Sequence, residues 1–580
     1  MSHKHDPKDP HAAVPGAAVS RRGFLTGAGV AGVAAATSPL GIERSARAAS
    51  PDGTPEQIHL TWGDDPTSMV VVSWASAAQS VNPRVHFGTS ATSMFQTAHA
   101  VQKTYTDGLN GQTVFTYHAR LSGLRADTPH FYSITSDNDG NADKPFGASF
   151  RTAPSGRAAF RWTSFGDLAT PVTAWVLSYP QSQYAVQAVE RFAPLFHLLN
   201  GDLCYANLNP AAQPSVWADF GNNAQASASM RPWMPCPGNH EVEFYNGPQG
   251  FTSYLTRYAL PENGSSFAGR WYRFRVGTAV FISLSADDVI YQDGAAFVGG
   301  PAPLTPVAST GNAALEPGTS FYIRGYSHGE QTHWLERVLR EASEDSTVDW
   351  IIVQMHQDAL SSSKTGNGSD KGIREEWLPL FDRYGVDLVV CGHDHDYERS
   401  FPVRGANRNT GVDAATGVTV DTLQPRPAVT APSADGSFDT SRGTVHLILG
   451  GGGTSAPLDV YGVDSGNGLA QAKVFTKPNR PVAAATAGTF ARAGADALED
   501  AIWSAQRDTG TGYGIAVFDL DPGDRGRKTT ITINYFHAAG ADKTPNPTYE
   551  LFETIVLAKH TRVDREERDH DRDELDPYGE

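Results

Sequence analysis

Five short segments, far apart in the chain, constrain its fold more than anything else in it: Gly166-Asp167-Leu168-Ala169, Gly201-Asp202-Leu203-Cys204-Tyr205, Gly238-Asn239-His240-Glu241, Val353-Gln354-Met355-His356 and Gly392-His393-Asp394-His395. Each carries residues that bind hard or borderline metal ions through oxygen or imidazole nitrogen. Leaving out His240, they offer two Asp, one Tyr, one Asn and three His. That is enough for two adjacent metals sharing a bridging carboxylate. A metal pair about 3.5–4 Å apart is the usual tool for in-line displacement at phosphorus. Taken singly, an Asp at a strand end is often a turn residue, and a lone His is usually a satisfied core group. The ordered set carries the inference.

The segments around these motifs set the architecture. From Pro55 to about Ala153 the chain is all-β: Ile58–Trp62 and Met69–Trp74 are short β-branched and aromatic runs with a turn between them. Further strands are expected near Arg84–Phe87, Phe115–Leu121, His130–Ile134 and Gly147–Thr152, at the spacing of an immunoglobulin-like or fibronectin-type sandwich. After a linker at 152–156 the pattern alternates. Apolar strands at Phe160–Phe165, Leu195–Leu199, Trp350–Val353 and Val386–Val390 run into four of the motifs, with helices near Gln183–Ala193, Gln331–Ala342 and Ile373–Tyr384. Such alternation predicts a layered α/β domain with its site at the carboxyl ends of the strands. Trp271–Arg275 and Ala279–Leu284 read as an antiparallel pair. Residues 405–441 read as an inserted loop, and 558–580 as a charged, disordered tail.

The first 48 residues read as an address. Ser20-Arg21-Arg22-Gly23-Phe24-Leu25 is a twin-arginine sequence, followed by a Gly- and Ala-rich run and by Ala46-Arg47-Ala48, a small-x-small cleavage site. The run is too short and Gly-rich for a membrane anchor. The expected partner is therefore the twin-arginine export machinery, and the destination is the periplasm, the cell wall or the medium. Without that leader the chain carries 60 acids against 40 bases, a net charge of −20. That repels nucleic acid and anionic membranes. The three cysteines, Cys204, Cys236 and Cys391, lie in or beside the metal motifs, so no disulfide framework is expected.

The order GDxA, GDxCY, GNHE, VxxH and GHxHxYER resembles the calcineurin-like metallophosphoesterases, and among them the purple acid phosphatases, in which Tyr205 stands at the distinguishing position. The resemblance implies a fibronectin III-like sandwich at 54–153 and a four-layer α/β/β/α catalytic domain at 157–557. It also implies Asp167, Tyr205 and His395 on a first metal, Fe(III), and Asn239, His356 and His393 on a second, divalent Fe, Zn or Mn, with Asp202 bridging. The substrate is then a small phosphate ester, cleaved by hydroxide generated on the metals. His240 serves beside the substrate, with Asn239, as acid or hydrogen-bond donor to the leaving group. Glu241 either orients His240 or caps the turn, and Tyr397-Glu398-Arg399 braces the site.

Two departures stand out. Ala169 replaces a usual Gly. The adjacent His pair of plant-type members is missing from Gln357–Gly368, where Lys364 and Asn367 sit in a Gly- and Ser-rich loop that either contacts phosphate differently or forms a lid. The expected activity is hydrolysis of phosphate monoesters. A phosphodiesterase on the same core, or a binding protein working through its sandwich, are the alternatives.

Overall fold

A computed structural model describes residues 52–243, 245–247, 249–292, 324–364, 367–454, 468–477, 496–539 and 547–561. The expected leader, the tail from 562 onward and Thr365-Gly366 lie outside the described residues.

The N-terminal part consists of two four-stranded antiparallel sheets. One has the order Glu56–Trp62, Val70–Ser76, Thr113–Leu121, Val101–Thr106; the other Gln96–His99, Arg84–Gly88, Pro129–Thr135, Phe146–Arg151. Alternate residues of the first strand, Ile58, Leu60 and Trp62, enter a core shared with Val72, Val85, Tyr132 and Phe150. The opposite face of that sheet is not solvated along its strands Glu56–Trp62 and Val70–Ser76, because the catalytic part covers it there. Thr61 Oγ1 donates to Ala259 O (2.6 Å), Gln57 N to Asn222 Oδ1 (3.1 Å), and Ile58 N to Gln225 Oε1 (2.9 Å). From the other sheet, Tyr132 OH donates to Ser229 O (2.7 Å). This explains why Val70–Ser76 is buried at every position. The β part is welded to its neighbour through both apolar packing and backbone-directed hydrogen bonds.

His118 at this seam makes acid stability predictable. Its Nε2 lies 3.0 Å from Thr256 O and its Nδ1 2.8 Å from Ser73 Oγ, so the neutral ring with hydrogen on Nε2 satisfies both. Burial, together with the nearby Lys103 and His59 charges, pulls its pKa from 6.5 down to about 3. The unfolded chain takes up a proton near pH 6.5 that the folded ring refuses. The stability is therefore full above that pH and is lost as pH falls towards the folded value, at up to about 1.4 kcal/mol per unit. The melting temperature is expected to fall between pH 7 and 4.5. His118→Gln should flatten that dependence by one proton, and identical slopes in the two proteins would count against this account.

The catalytic part is built on two seven-stranded mixed sheets. The first runs Trp233–Cys236, Phe196–Asn200, Phe160–Phe165, Gly514–Asp521, Lys528–Ala539, Thr548–His560, Ser437–Asp439. The second runs Tyr272–Val276, Ala279–Ser283, Trp350–Gln354, Leu388–Cys391, Val445–Leu449, Tyr397–Ser400, Ser504–Arg507. Aromatic side chains fill the space between them: Trp162 stacks on Phe518 (4.7 Å) and meets Phe281 edge-on (5.3 Å), and Phe196 meets Phe281 the same way (5.2 Å). Helices Gln181–Phe192 and Gln213–Ala228 accompany the first sheet, and Glu330–Glu344 and Leu378–Tyr384 the second. In each sheet the strands that run into the motifs are parallel to one another, so their carboxyl ends gather on one side.

Four details differ from the sequence reading. The helix expected over Ile373–Tyr384 is two, Lys371–Glu376 and Leu378–Tyr384, because Pro379 cannot continue the first but starts the second. Residues 405–441 are not an irregular insertion: Gly411–Asp413, Thr419–Val420 and Gln424–Pro427 are strands, and Ser437–Asp439 joins the first sheet through Thr548–His560. Polar composition there hid these short strands. The boundary at 558 is also too early. Thr548–His560 pairs along its length with Lys528–Ala539, and Lys559 Nζ sits 2.8 and 2.7 Å from the two oxygens of buried Asp387. The helix Gln213–Ala228 and the strand Trp233–Cys236 have no counterpart in the sequence reading. The three cysteines are free and buried. Among the described residues no helix is long and apolar enough to cross a membrane.

Candidate metal centre

All five motifs occupy the loops that leave these parallel strands. Six of the seven expected ligands are buried and the seventh, His395, is half-buried beside them, and they fall into two sets. In the first, Tyr205 OH lies 3.0 Å from Asp167 Oδ1 and 3.1 Å from His395 Nε2, and His395 Nε2 lies 3.3 Å from Asp167 Oδ1. In the second, His356 Nε2 lies 3.1 Å from Asp202 Oδ2, 3.1 Å from Asn239 Oδ1 and 3.2 Å from His393 Nδ1. Ligand atoms each about 2.0–2.2 Å from one cation stand roughly 3 Å from one another. Both sets meet that spacing. The chemistry of the donors fits as well: two anionic or ionisable oxygens and an imidazole in one set, imidazoles with an amide and a carboxylate oxygen in the other.

The backbone is bent to make this possible. Asp167 (φ 58°), Asp202 (49°), Tyr205 (58°) and His393 (68°) all adopt the left-handed region. Non-glycine residues rarely do so except where surrounding structure enforces it, most often at functional sites. Glycines give the room. A Cβ on Gly201, itself at φ +78°, would come within 2.5 Å of His356 Nδ1, and one on Gly392 within 2.5 Å of Asp167 Oδ2.

Further residues hold the ligands from behind. His356 Nδ1 is 2.7 Å from Asn200 O, so the ring donates there and turns Nε2 inward. Gln354 Nε2 donates to Leu199 O, Asn200 Oδ1 and Met234 O, joining the motif-bearing ends of the two sheets. Glu241 is buried, and its oxygens accept from Asp202 N (2.9 Å), Leu203 N (2.8 Å) and Gly238 N (2.7 Å). It therefore ties the second motif to the third, and of its two possible roles the turn-capping one is what its contacts show. The run Gly450–Gly453, which sequence alone left without a role, folds onto the first motif: Gly452 N donates to Gly166 O, and Gly453 N and Thr454 N to Asp167 O. A strand ending in consecutive glycines was the only signal for it.

Electrostatics mirror the crowding. Burial acts to raise the Asp202 pKa, but the imidazoles of His356 and His240 outweigh it and hold the carboxyl well below its ordinary range. Burial acts to lower that of His356, yet Asp202 and Asp167 push it up to about 10. His240 is brought down to about 4, by burial above all. Its backbone N–H donates to Asp202 Oδ1 (2.8 Å), its Nε2 lies 3.9 Å from Asp202 Oδ2, and its Nδ1 lies 2.9 Å from Asn207 Oδ1. Asn207 is a site residue that the sequence reading did not single out.

The segment replacing the His pair is no lid where it is described. Ser361, Ser362 and Ser363 are fully buried. Ser361 Oγ donates to Asp394 Oδ2 (2.5 Å), Ser362 N to both oxygens of Glu398, and Asn367 Nδ2 to His393 O (2.7 Å). Lys364 Nζ turns to Gln471 Oε1 (3.4 Å). Glu398 thus braces this loop, while Tyr397 and Arg399 hold Glu553.

The family model "Purple acid Phosphatase, N-terminal domain" matches residues 55–152, and "Calcineurin-like phosphoesterase" matches 165–397. A Mycobacterium tuberculosis protein described as uncharacterized is 40% identical over 558 residues, covering 91% of this chain and 94% of its own. The Fe(3+)-Zn(2+) purple acid phosphatase 12 of Arabidopsis thaliana is 24% identical over 351 residues, 60% of this chain and 65% of that one. The structure of purple acid phosphatase PPD1 from yellow lupin (Lupinus luteus) seeds superposes with a TM-score of 0.57 at 18% identity, over 88% of this chain and 75% of that chain, and so shares the fold. The chain belongs to the calcineurin-like metallophosphoesterases, in their purple acid phosphatase branch, and is a metal-dependent phosphoric ester hydrolase.

Proposed function

We propose that this protein is an exported phosphatase of small phosphate monoesters. Asp167, Tyr205 and His395 would hold Fe(III), and Asn239, His356 and His393 a divalent Fe, Zn or Mn, with Asp202 shared between them. A phenol oxygen suits a hard trivalent ion, and an iron–zinc pair is named in the Arabidopsis relative. Such a pair supplies hydroxide near neutral pH and takes up charge on the phosphoryl oxygens.

The single observation carrying this reading is the pattern of access. Asp167 and His356 are fully buried at the side chain and Asp202 is 3% exposed, while His395 (22%) and His240 (13%) face outward. A phosphoryl group entering from solvent therefore meets His240 and the outward edge of the ligand cluster. There His240 and Asn239 orient it, and His240 supplies a proton or hydrogen bond to the leaving oxygen. The −20 charge of the chain without its leader repels anions at long range, so recognition of the phosphate falls to this small opening. The leader at 1–48 supports export by the twin-arginine route.

Hydrolysis of p-nitrophenyl phosphate and of its bis-ester, side by side across pH, tests the proposal with Asn239→Ala as control. Faster monoester cleavage, falling at least a hundredfold in the variant, is expected. Faster diester cleavage would favour a phosphodiesterase, the reading that the buried loop at 361–363 supports, since no described residue of that loop offers an imidazole to the phosphate. No cleavage of either by the metal-loaded protein would overturn both.

A further inference from the structure

We propose that Asn207 is the positioning residue for His240, fixing the ring so that Nε2 addresses the leaving-group oxygen. This rests on the role given to His240 above. An amide oxygen can only accept, so the 2.9 Å contact between Asn207 Oδ1 and His240 Nδ1 places the hydrogen on Nδ1. Nε2 is then the nitrogen directed at the ligand cluster, 3.9 Å from Asp202 Oδ2. A second contact fixes the other axis of the ring: its face lies against Tyr205, with centroids 4.6 Å apart and planes tilted by 55°.

Asn207 is itself buried. It is 1% exposed and sits in the 3-10 turn Ala206–Leu208, directly after Tyr205, whose left-handed backbone redirects the chain into that turn. One turn thus sets both a metal ligand and the partner of the substrate-side histidine. The amide is costly where it stands. Its Nδ2 is buried with no partner among the described residues, and an orphaned buried donor is destabilising. An apolar side chain would avoid that cost, so its retention is accounted for by the oxygen and what it holds. An amide also orients the ring without adding charge beside Asp202.

The chemical consequence is definite. The donor form of the ring is doubly protonated, its Nε2 proton taken from solvent: as an oxygen from water bonds to phosphorus and the P–O bond to the leaving group breaks, that proton passes to the departing oxygen, which keeps the bonding pair of the broken bond. The ring is left neutral with its hydrogen on Nδ1. That is the tautomer the Asn207 oxygen stabilises.

Two measurements on the full chain decide the matter. In the first, Asn207→Ala is compared with wild type on ethyl phosphate, whose alkoxide needs a proton, and on p-nitrophenyl phosphate, whose phenolate needs little. The loss in kcat is expected to be about tenfold larger on ethyl phosphate, a part of the 10²–10⁴ that a positioned proton donor contributes. KM should change less than kcat, and in a His240→Ala background the same substitution should add nothing. Equal losses on both substrates, or additive losses, would overturn the proposal and leave Asn207 a packing residue. In the second, long-range proton–nitrogen spectra of ¹⁵N-histidine in the zinc-loaded protein, taken where the ring is neutral as it is after proton transfer and assigned with His240→Ala, should show the Nδ1–H tautomer in wild type and its loss in Asn207→Ala. An unchanged tautomer would refute the inference. This readout needs no turnover, so it separates failure of the inference from failure of the proposed activity.

Discussion

Asp202→Ala is expected to lower kcat/KM for phosphoester hydrolysis by about 10³-fold or more and to leave the purified protein depleted of metal. Removing an outer partner of a metal ligand already costs about 10–100-fold, and in the proposed centre Asp202 is itself a ligand. Its Oδ2 stands 3.1 Å from His356 Nε2, and its Oδ1 accepts the backbone hydrogen of His240 at 2.8 Å. With His356 and His393 it forms a cluster whose ligand atoms all lie within 4.8 Å of one another. Its electrostatic influence also reaches Asp167 and Tyr205 in the other set. If Asp202 is the shared ligand proposed above, truncation removes that oxygen and frees the segment that presents His240. The measurement pairs kinetics with metal content by atomic emission, and far-UV circular dichroism confirms that the variant is folded. A folded Asp202→Ala that keeps both metals and even a tenth of the activity would remove Asp202 from the centre.

The candidate site was legible in the sequence because its grammar is local. A buried strand, a glycine and a ligand recur in order, and each unit such as Leu199-Asn200-Gly201-Asp202 can be read without knowing what it packs against. What lay hidden was long-range. The outer face of the N-terminal sheet was open to a solvated reading, since nothing in Val70–Ser76 announces that Thr256, Ala259 and the helix Gln213–Ala228 will cover it. That helix escaped notice because its stripe is diluted by Asn, Gln, Ser and Ala, and its buried face itself includes Gln213, Ala224, Ser227 and Ala228. Glu241 sits inside a visible motif and Asn207 two residues beyond one, yet their work is visible only as hydrogen bonds to residues about 35 positions away. A motif gives the ligands in order; which neighbours aim them is a property of the folded turns.

Glu241→Ala is expected to cost about 4 kcal/mol of stability and to loosen both halves of the metal centre at once. Three backbone N–H groups, of Asp202, Leu203 and Gly238, converge on its two oxygens in a fully buried place. Each such donor left without an acceptor costs about 1–3 kcal/mol, and the cavity left by the side chain adds to the loss. The urea midpoint should fall, and so should metal content, because the turns that carry Asp202 and Asn239 are the two that this carboxylate clamps together. Glu241→Gln is the discriminating partner. Its amide oxygen can accept two of the three hydrogens, but its NH₂ must then face the third donor. If clamping the turns is the role, Gln should fail almost as badly as Ala in both stability and metal retention. If orienting His240 were the role, Gln would leave the midpoint and the metals in place and lower kcat alone. The three short contacts to backbone nitrogen predict the first outcome, in which a residue that touches neither metal nor substrate decides whether the centre assembles.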